Sequence, residues 1–199
     1  MAKYTGIGEI TTNFLLNDFD VYVMNTSATG GYVSTDWALL GFTGQEKNVN
    51  RIQEKYSKEA KIPRVEVYNK TIRKGLEITF DLSNQNPQII AEMSQGTLNS
   101  LGVGTGSEIA HGTSEATKVY KTFRLASTLD NGTVYTITIP KTEFMMNGEQ
   151  TVGGETETVI PTMLKAIYNP SAASATKNMY YEHYLVAGLS ATADVPEGF

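Results

Sequence analysis

The chain has 199 residues, a formal net charge of -5, 40% hydrophobic and 19% charged residues, and no cysteine. That length and balance provide for one well-buried core and exclude a disordered chain, a disulfide framework, thiolate catalysis and Cys-ligated metals. The acidic balance also argues against tight nucleic-acid binding, which needs clustered Lys and Arg to replace counterions.

The opening Met1-Ala-Lys-Tyr-Thr-Gly lacks the charged-then-apolar pattern of a secretion signal. No stretch approaches the ~18 consecutive apolar residues of a membrane span. The chain is expected to be made and kept in a cytoplasm, or to leave it only inside a particle.

Residues Met1–Asn17 read as an N-terminal arm. Phe19-Asp-Val-Tyr-Val-Met24 then sets Phe19, Val21 and Val23 against Asp20, Tyr22 and Met24, a strand with one buried and one semi-polar face. Residues 26–36, with Gly30-Gly31, form a loop. Trp37-Ala-Leu-Leu40 is an apolar strand closed by Gly41, with Trp37 as a packing anchor. Residues 45–60 carry alternating charge; Val49, Ile52 and Tyr56 fall at helical spacing, but a strand with a long loop is the reading adopted. Pro63 resets the backbone. Arg64 to Leu82 holds two strand-like runs, predicted to meet in a turn at Lys74-Gly75, with a bulge near Asn69 where the alternation of Val65, Val67 and Ile72 slips. The second run is the clearest strand of the chain: Leu76, Ile78, Phe80 and Leu82 point one way, and Glu77, Thr79 and Asp81 the other.

One helix follows. Ser83, Asn84 or Asn86 can cap it, Pro87 suits its first position, and Ile89, Ile90 and Met93 form its apolar stripe. Gly96 stands where a left-handed stop costs little. Residues 97–117 contain Gly102, Gly104, Gly106 and Gly112 and read as a long loop. Lys118–Leu125 and Thr133–Ile139 flank Asp130-Asn131-Gly132, a strong hairpin signal. Val159–Tyr168 and Met179–Leu189 read as closing strands. The fold class is therefore mainly β, a β-rich α+β domain with an antiparallel sandwich or barrel and one flanking helix, in a single domain over 1–199. Leu76–Leu82 and Thr133–Ile139 carry little of the charge that protects edge strands, so self-assembly through strand pairing is expected.

Chemistry finds little footing. Gly102-Val-Gly104-Thr-Gly106 lacks the third glycine and the Gly-Lys-Ser/Thr of phosphate loops, and Glu108 would repel a phosphate. The carboxylate–imidazole neighbours are Glu108 with His111 and Glu182 with His183, and two histidines in the chain are too few for a zinc site of the usual three protein ligands. No Gly-x-Ser-x-Gly elbow occurs, and Asp18, Asp20 and Asp36 lack calcium-loop spacing. No catalytic residue, cofactor or metal is expected. The eleven tyrosines suit protein–protein interfaces, although β propensity accounts for many of them.

The order Trp37-Ala-Leu-Leu-Gly41-Phe-Thr43, a charged strand, a glycine-turned hairpin and a helix opening on Asn86-Pro87 resembles the tail tube (major tail) proteins of long-tailed bacteriophages. Ile139-Pro140-Lys141, Val159-Ile-Pro161 and Ala166-Ile-Tyr-Asn-Pro170 are similar to that family's strand exit, closing strand and final turn. The resemblance implies a small β-sandwich or barrel flanked by a helix, in which six copies form a ring with a continuous inner β-barrel and rings stack into a tube. An early hairpin or loop would reach toward a neighbouring subunit or ring. It implies further partners: tape-measure, tail-terminator and baseplate or tip proteins, a sheath if the tail is contractile, and DNA passing through the lumen without specific binding or membrane contact. On this reading Glu77, Thr79 and Asp81 face the lumen, with Lys70 or Lys74 moderating their field, while Trp37, Leu76, Ile78, Phe80, Ile89, Ile90 and Met93 pack the subunit. The alternatives are a decoration, baseplate or adhesin-like virion domain that does not polymerise, and a β-sandwich hydrolase, for which no acid/base pair presents itself.

Overall fold

The computed structural model describes residues 19–24, 37–41, 43–61, 64–83, 86–112, 120–150, 159–170 and 178–192. The expected N-terminal arm and the loop at 26–36 lie outside them. Among the described residues the strands are β1 (Asp20–Met24), β2 (Trp37–Leu39), β3 (Thr43–Lys61), β4 (Arg64–Leu82), β5 (Thr97–Ser100), β6 (Ser107–Ala110), β7 (Lys121–Thr128), β8 (Val134–Met146), β9 (Ile160–Ala166) and β10 (Tyr181–Leu185), with the helix α1 (Pro87–Ser94) between β4 and β5. The main sheet runs β2-β1-β7-β8-β9-β4-β3, with β10 added to β8. All its pairs are antiparallel, and it curls into a half-barrel. A separate two-stranded sheet joins β5 and β6.

Alternation builds the core. Leu76, Ile78, Phe80 and Leu82 of β4 are buried as expected, and β9 supplies Ile160, Leu164 and Ala166. Val21, Phe123, Leu125, Ile137 and Ile139 complete the lining, so the hollow of the half-barrel is a single apolar cluster that Met93 of α1 closes. Ile89 and Ile90 pack against it partly buried. Trp37 is buried too, but in a satellite cluster with Met24, on the opposite face of the sheet.

β8 is longer than the sequence suggests. Ile139-Pro140-Lys141 was expected to end a strand, yet the strand continues through Pro140 to Met146. The β7 ladder slips here, with Phe123 opposite Ile139 but Lys121 opposite Thr142. One extra residue in β8 shifts the inward set from Ile137 and Ile139 to Thr142 and Phe144. A proline, which cannot donate to a ladder, is tolerated at such a bulge. The same point separates two neighbours on the other edge, where β10 pairs as far as Thr138 and β9 begins at Thr142.

Three further expectations are corrected. The predicted turn at Lys74-Gly75 is absent: Gly75 lies within β4, opposite Ile52, and the hairpin partner of β4 is β3. Gly75 read as a turn residue because it separates two apolar runs. A Cβ there would lie 3.5 Å from Ile52 Cβ, an ordinary contact in a continuous ladder. Residues 45–60 lie within strand β3 rather than in a long loop, and from Lys47 onward each residue pairs across to β4. The region 97–110 is a β-hairpin; Gly102, Gly104 and Gly106 take positive φ in its turn, and 113–117 falls outside the description. The expected slip at Asn69 takes the form of two ladder irregularities flanking it, at Glu54/Lys55 and Lys58/Glu59 on the opposing strand.

The helix ends follow capping chemistry. Asn86 Oδ1 accepts from the Gln88 amide at 2.9 Å with Pro87 next in sequence. The left-handed stop falls on Gln95 (φ 56°), not on Gly96. Gly96 is needed for closeness instead: a Cβ there would sit 2.6 Å from Ile109 Cγ2 and 2.9 Å from His111 Cε1. Gly96→Ala is therefore expected to push the β5–β6 hairpin off the helix and lower stability by roughly 1–3 kcal/mol. A urea midpoint unchanged from wild type would contradict this packing.

Candidate assembly interface

Among the described residues no group of three or more His, Asp or Glu is placed to hold a metal. Glu182 and His183, adjacent on β10, register against Ile137 and Thr136 and so point to opposite faces. Glu108 accepts from Asn99 Nδ2 at 3.2 Å, across the β5–β6 ladder. The glycine turn is followed by a strand, not by the helix that would hold a phosphate. The notable features of the surface are edges and faces.

The first is the β3–β4 hairpin. β9 pairs with β4 only from Glu77 onward. From Leu76 back to Arg64 the described partner of β4 is β3 alone, so the hairpin continues past the sheet as a two-stranded ribbon, roughly 35–40 Å long at ~3.3 Å per residue. β3 is also one end of the sheet, and the three-residue β2 is the other. Leu76–Leu82 and Thr133–Ile139, expected as unprotected edges, are interior strands: β4 lies between β3 and β9, and this part of β8 between β7 and β10. The long edge carries Glu46, Lys47, Arg51 and Glu54, charges that discourage indiscriminate pairing while leaving backbone groups for a matched partner.

The second feature is the face of β4 turned from the core. Glu77 and Thr79 are half-buried and Asp81 exposed. Registers place Glu143, Lys165, Glu77 and Asn50 in one row across β8, β9, β4 and β3, with Met145, Met163, Thr79 and Asn48 in the next. Lys165 Nζ stands 3.8 Å from Glu77 Oε1. Lys165 is thus the cation within this row, which the sequence reading missed. Lys74, named for that role, shares the parity of Leu76 and so belongs to the opposite face. The side chain of Lys70 lies outside the description.

The third is a polar cluster at the mouth of the half-barrel. Arg51 of β3 donates through Nε to Glu182 Oε1 (2.9 Å) and through Nη2 to Tyr135 Oη (2.9 Å), and Tyr135 Oη donates to Glu182 Oε2 (2.7 Å). Tyr184 stacks on Tyr135 with ring centroids 4.8 Å apart. Burial pushes the Glu182 carboxyl up, but the hydrogen bonds from Arg51 and Tyr135 and the Arg51 charge outweigh it and hold the group below its ordinary value. Burial, then the bond to Glu182, drives the Tyr135 hydroxyl well above the usual phenol range. A carboxyl depressed in the fold stabilises it above the unfolded-state pKa, and the contribution is lost as pH falls through the folded value. Glu182→Gln should therefore flatten the acid limb of a stability–pH profile. An identical limb in wild type and variant would show that the cluster carries no such linkage.

Behind the sheet lies the arrangement that sequence reading missed most completely. Arg124 is fully buried. Its guanidinium carbon sits 4.3 Å from the Trp37 ring centroid, Nε donates to Thr138 Oγ1 at 3.1 Å, and Nη1 reaches the Ala191 carbonyl at 3.4 Å. Nothing in Thr122-Phe123-Arg124-Leu125 distinguishes this arginine from one on a solvated face.

Besides Leu39, Tyr120 and Tyr168, the large exposed apolar side chains fall into two groups along the chain. Leu98, Leu101 and Val103 crown the β5–β6 hairpin, and Tyr184, Val186 and Leu189 lie on and beyond β10. Among the described residues no helix is long and apolar enough to cross a membrane. The geometry defines a β half-barrel with unequal open edges and an extended ribbon. No protein-family model matches the chain, and no curated protein matches it.

Proposed function

We propose that the chain is a structural virion protein of the tail tube class, assembling into six-membered rings that stack into the conduit for DNA ejection. The carrying observation is the curled sheet that ends in two different edges, β2 and β3, and continues from the second as a long ribbon. Rotational closure of a ring needs a head-to-tail contact between unlike surfaces, and an axial contact that does not close makes a tube. A two-stranded ribbon is marginal alone in water, so a partner surface on the next subunit gives it a reason to exist. The order of sequence elements that resembles tail tube proteins supports the same reading, as do the two groups of exposed apolar side chains. Tape-measure, terminator, baseplate or tip proteins, and a sheath in a contractile tail, are the further partners of this proposal.

Negative-stain microscopy of the concentrated full chain tests it. Six-fold rings and tubes are the expected result. Compact particles alone, with only monomer in native mass spectrometry, would overturn the tube in favour of a decoration or adhesin-like domain. Loss of an enzymatic activity on replacing one carboxylate would overturn both.

A further inference from the structure

The Arg51–Glu182–Tyr135 cluster occupies a mechanically special position. Arg51 registers opposite Leu76, next to Glu77, where β4 loses its β9 neighbour and the ribbon begins. One residue further out, Gly75 faces Ile52, and the ladder slips again at Glu54/Lys55. A glycine and a bulge at the root of the ribbon, where among the described strands β4 keeps β3 alone as its neighbour, make a natural bending point. Arg51 ties this root to β10, a strand 131 residues away in sequence and paired to neither β3 nor β4.

We propose that the Arg51–Glu182–Tyr135 cluster is a clasp that fixes the angle at which the β3–β4 ribbon leaves the half-barrel, and that opening the clasp lets the ribbon swing about Gly75. Leverage makes the position matter more than the strength. With the Arg51 and Glu182 side chains 46% and 28% exposed, the pair contributes little to global stability. Yet a tilt of about 10° at the root moves a tip roughly 35 Å away by about 6 Å. The bidentate contact of Arg51, one nitrogen on the carboxylate and one on the phenol, constrains orientation as well as distance. The device is a property of the subunit and does not rest on ring formation.

The absence of cysteine allows clean labelling. Spin labels on Lys61→Cys at the ribbon end and Asp130→Cys in the β7–β8 turn report the ribbon angle by pulsed dipolar spectroscopy on the monomeric full chain. One narrow distance distribution is expected in the otherwise wild-type background. In Glu182→Gln it should broaden and shift by about 5 Å or more, with the circular dichroism spectrum retained; the exchange Arg51→Glu with Glu182→Arg should narrow it again. Should Glu182→Gln fold poorly, Tyr135→Phe removes one leg of the clasp with less disturbance and should broaden the distribution partway. A distribution unchanged by every variant, or already broad with the clasp intact, overturns the proposal. Failure of the chain to form rings would leave this measurement untouched, so the two readings fail separately.

Discussion

Replacing Arg124 by alanine should cost about 3–5 kcal/mol, the largest effect expected of any single substitution outside the main core. The side chain is fully buried, so its removal opens a cavity between β7 and the segment that reaches Ala191. It also deprives the buried Thr138 Oγ1 and the half-buried Ala191 carbonyl of a charged donor, and a buried acceptor left without a partner costs more than the net value of the bond it loses. Trp37 loses the cation over its face, a contact worth ~2 kcal/mol or more when desolvated. Urea unfolding of Arg124→Ala, Trp37→Leu and the double variant measures these terms together. The double variant should be less unstable than the sum of the singles by roughly 0.5–2 kcal/mol, because both remove the same contact. A loss below about 1 kcal/mol for Arg124→Ala would mean that the guanidinium is not held as described.

This arginine also marks the limit of what the amino-acid order discloses. Where burial of one face imposes a period, the reading succeeded: Leu76 to Leu82 alternate into the core, Asp130-Asn131-Gly132 turns the β7–β8 hairpin with Gly132 at φ 80°, and Asn86-Pro87 opens the helix. Where burial is shallow the period is faint: among the described side chains of β3 none is fully buried, although Val49 packs partly buried against the core. Residues 45–60 are strand because β4 lies beside them, and their charged sequence is indifferent between strand and loop. Gly75 and Pro140 read as punctuation because each interrupts a local pattern, whereas paired residues before and after each of them carry the strand through. The clasp and the Arg124 site depend on contacts between residues 131 and 67 positions apart, and no local pattern encodes them. Glu182 drew notice only for its neighbour His183, which points the other way.

If the chain forms the proposed tail tube, the double substitution Glu77→Lys with Asp81→Lys should leave rings and tubes intact but slow or block genome ejection. Both positions lie on the β4 face turned away from the core, so neither side chain supports the apolar cluster. Across this patch three carboxylates (Glu143, Glu77, Asp81) oppose one ammonium (Lys165), a net of -2 per copy; the double variant makes it +2, with one carboxylate against three ammonium groups. Lysine at position 77 would also place two cations side by side, since Glu77 now sits 3.8 Å from Lys165. That repulsion is expected to cost no more than about 1 kcal/mol at a partly exposed pair. If this face lines the channel, six copies turn a wall that weakly repels phosphates into one that binds them. Duplex DNA carries a charge every ~1.7 Å, and its displaced counterions make such binding steeply salt-dependent. Isolated tubes of the double variant should therefore retain double-stranded DNA at low salt and release it as salt rises, while wild-type tubes retain none. Normal ejection by particles carrying the variant, together with no retention by its tubes at any salt concentration, would place Glu77, Thr79 and Asp81 away from the lumen while leaving the tube itself standing.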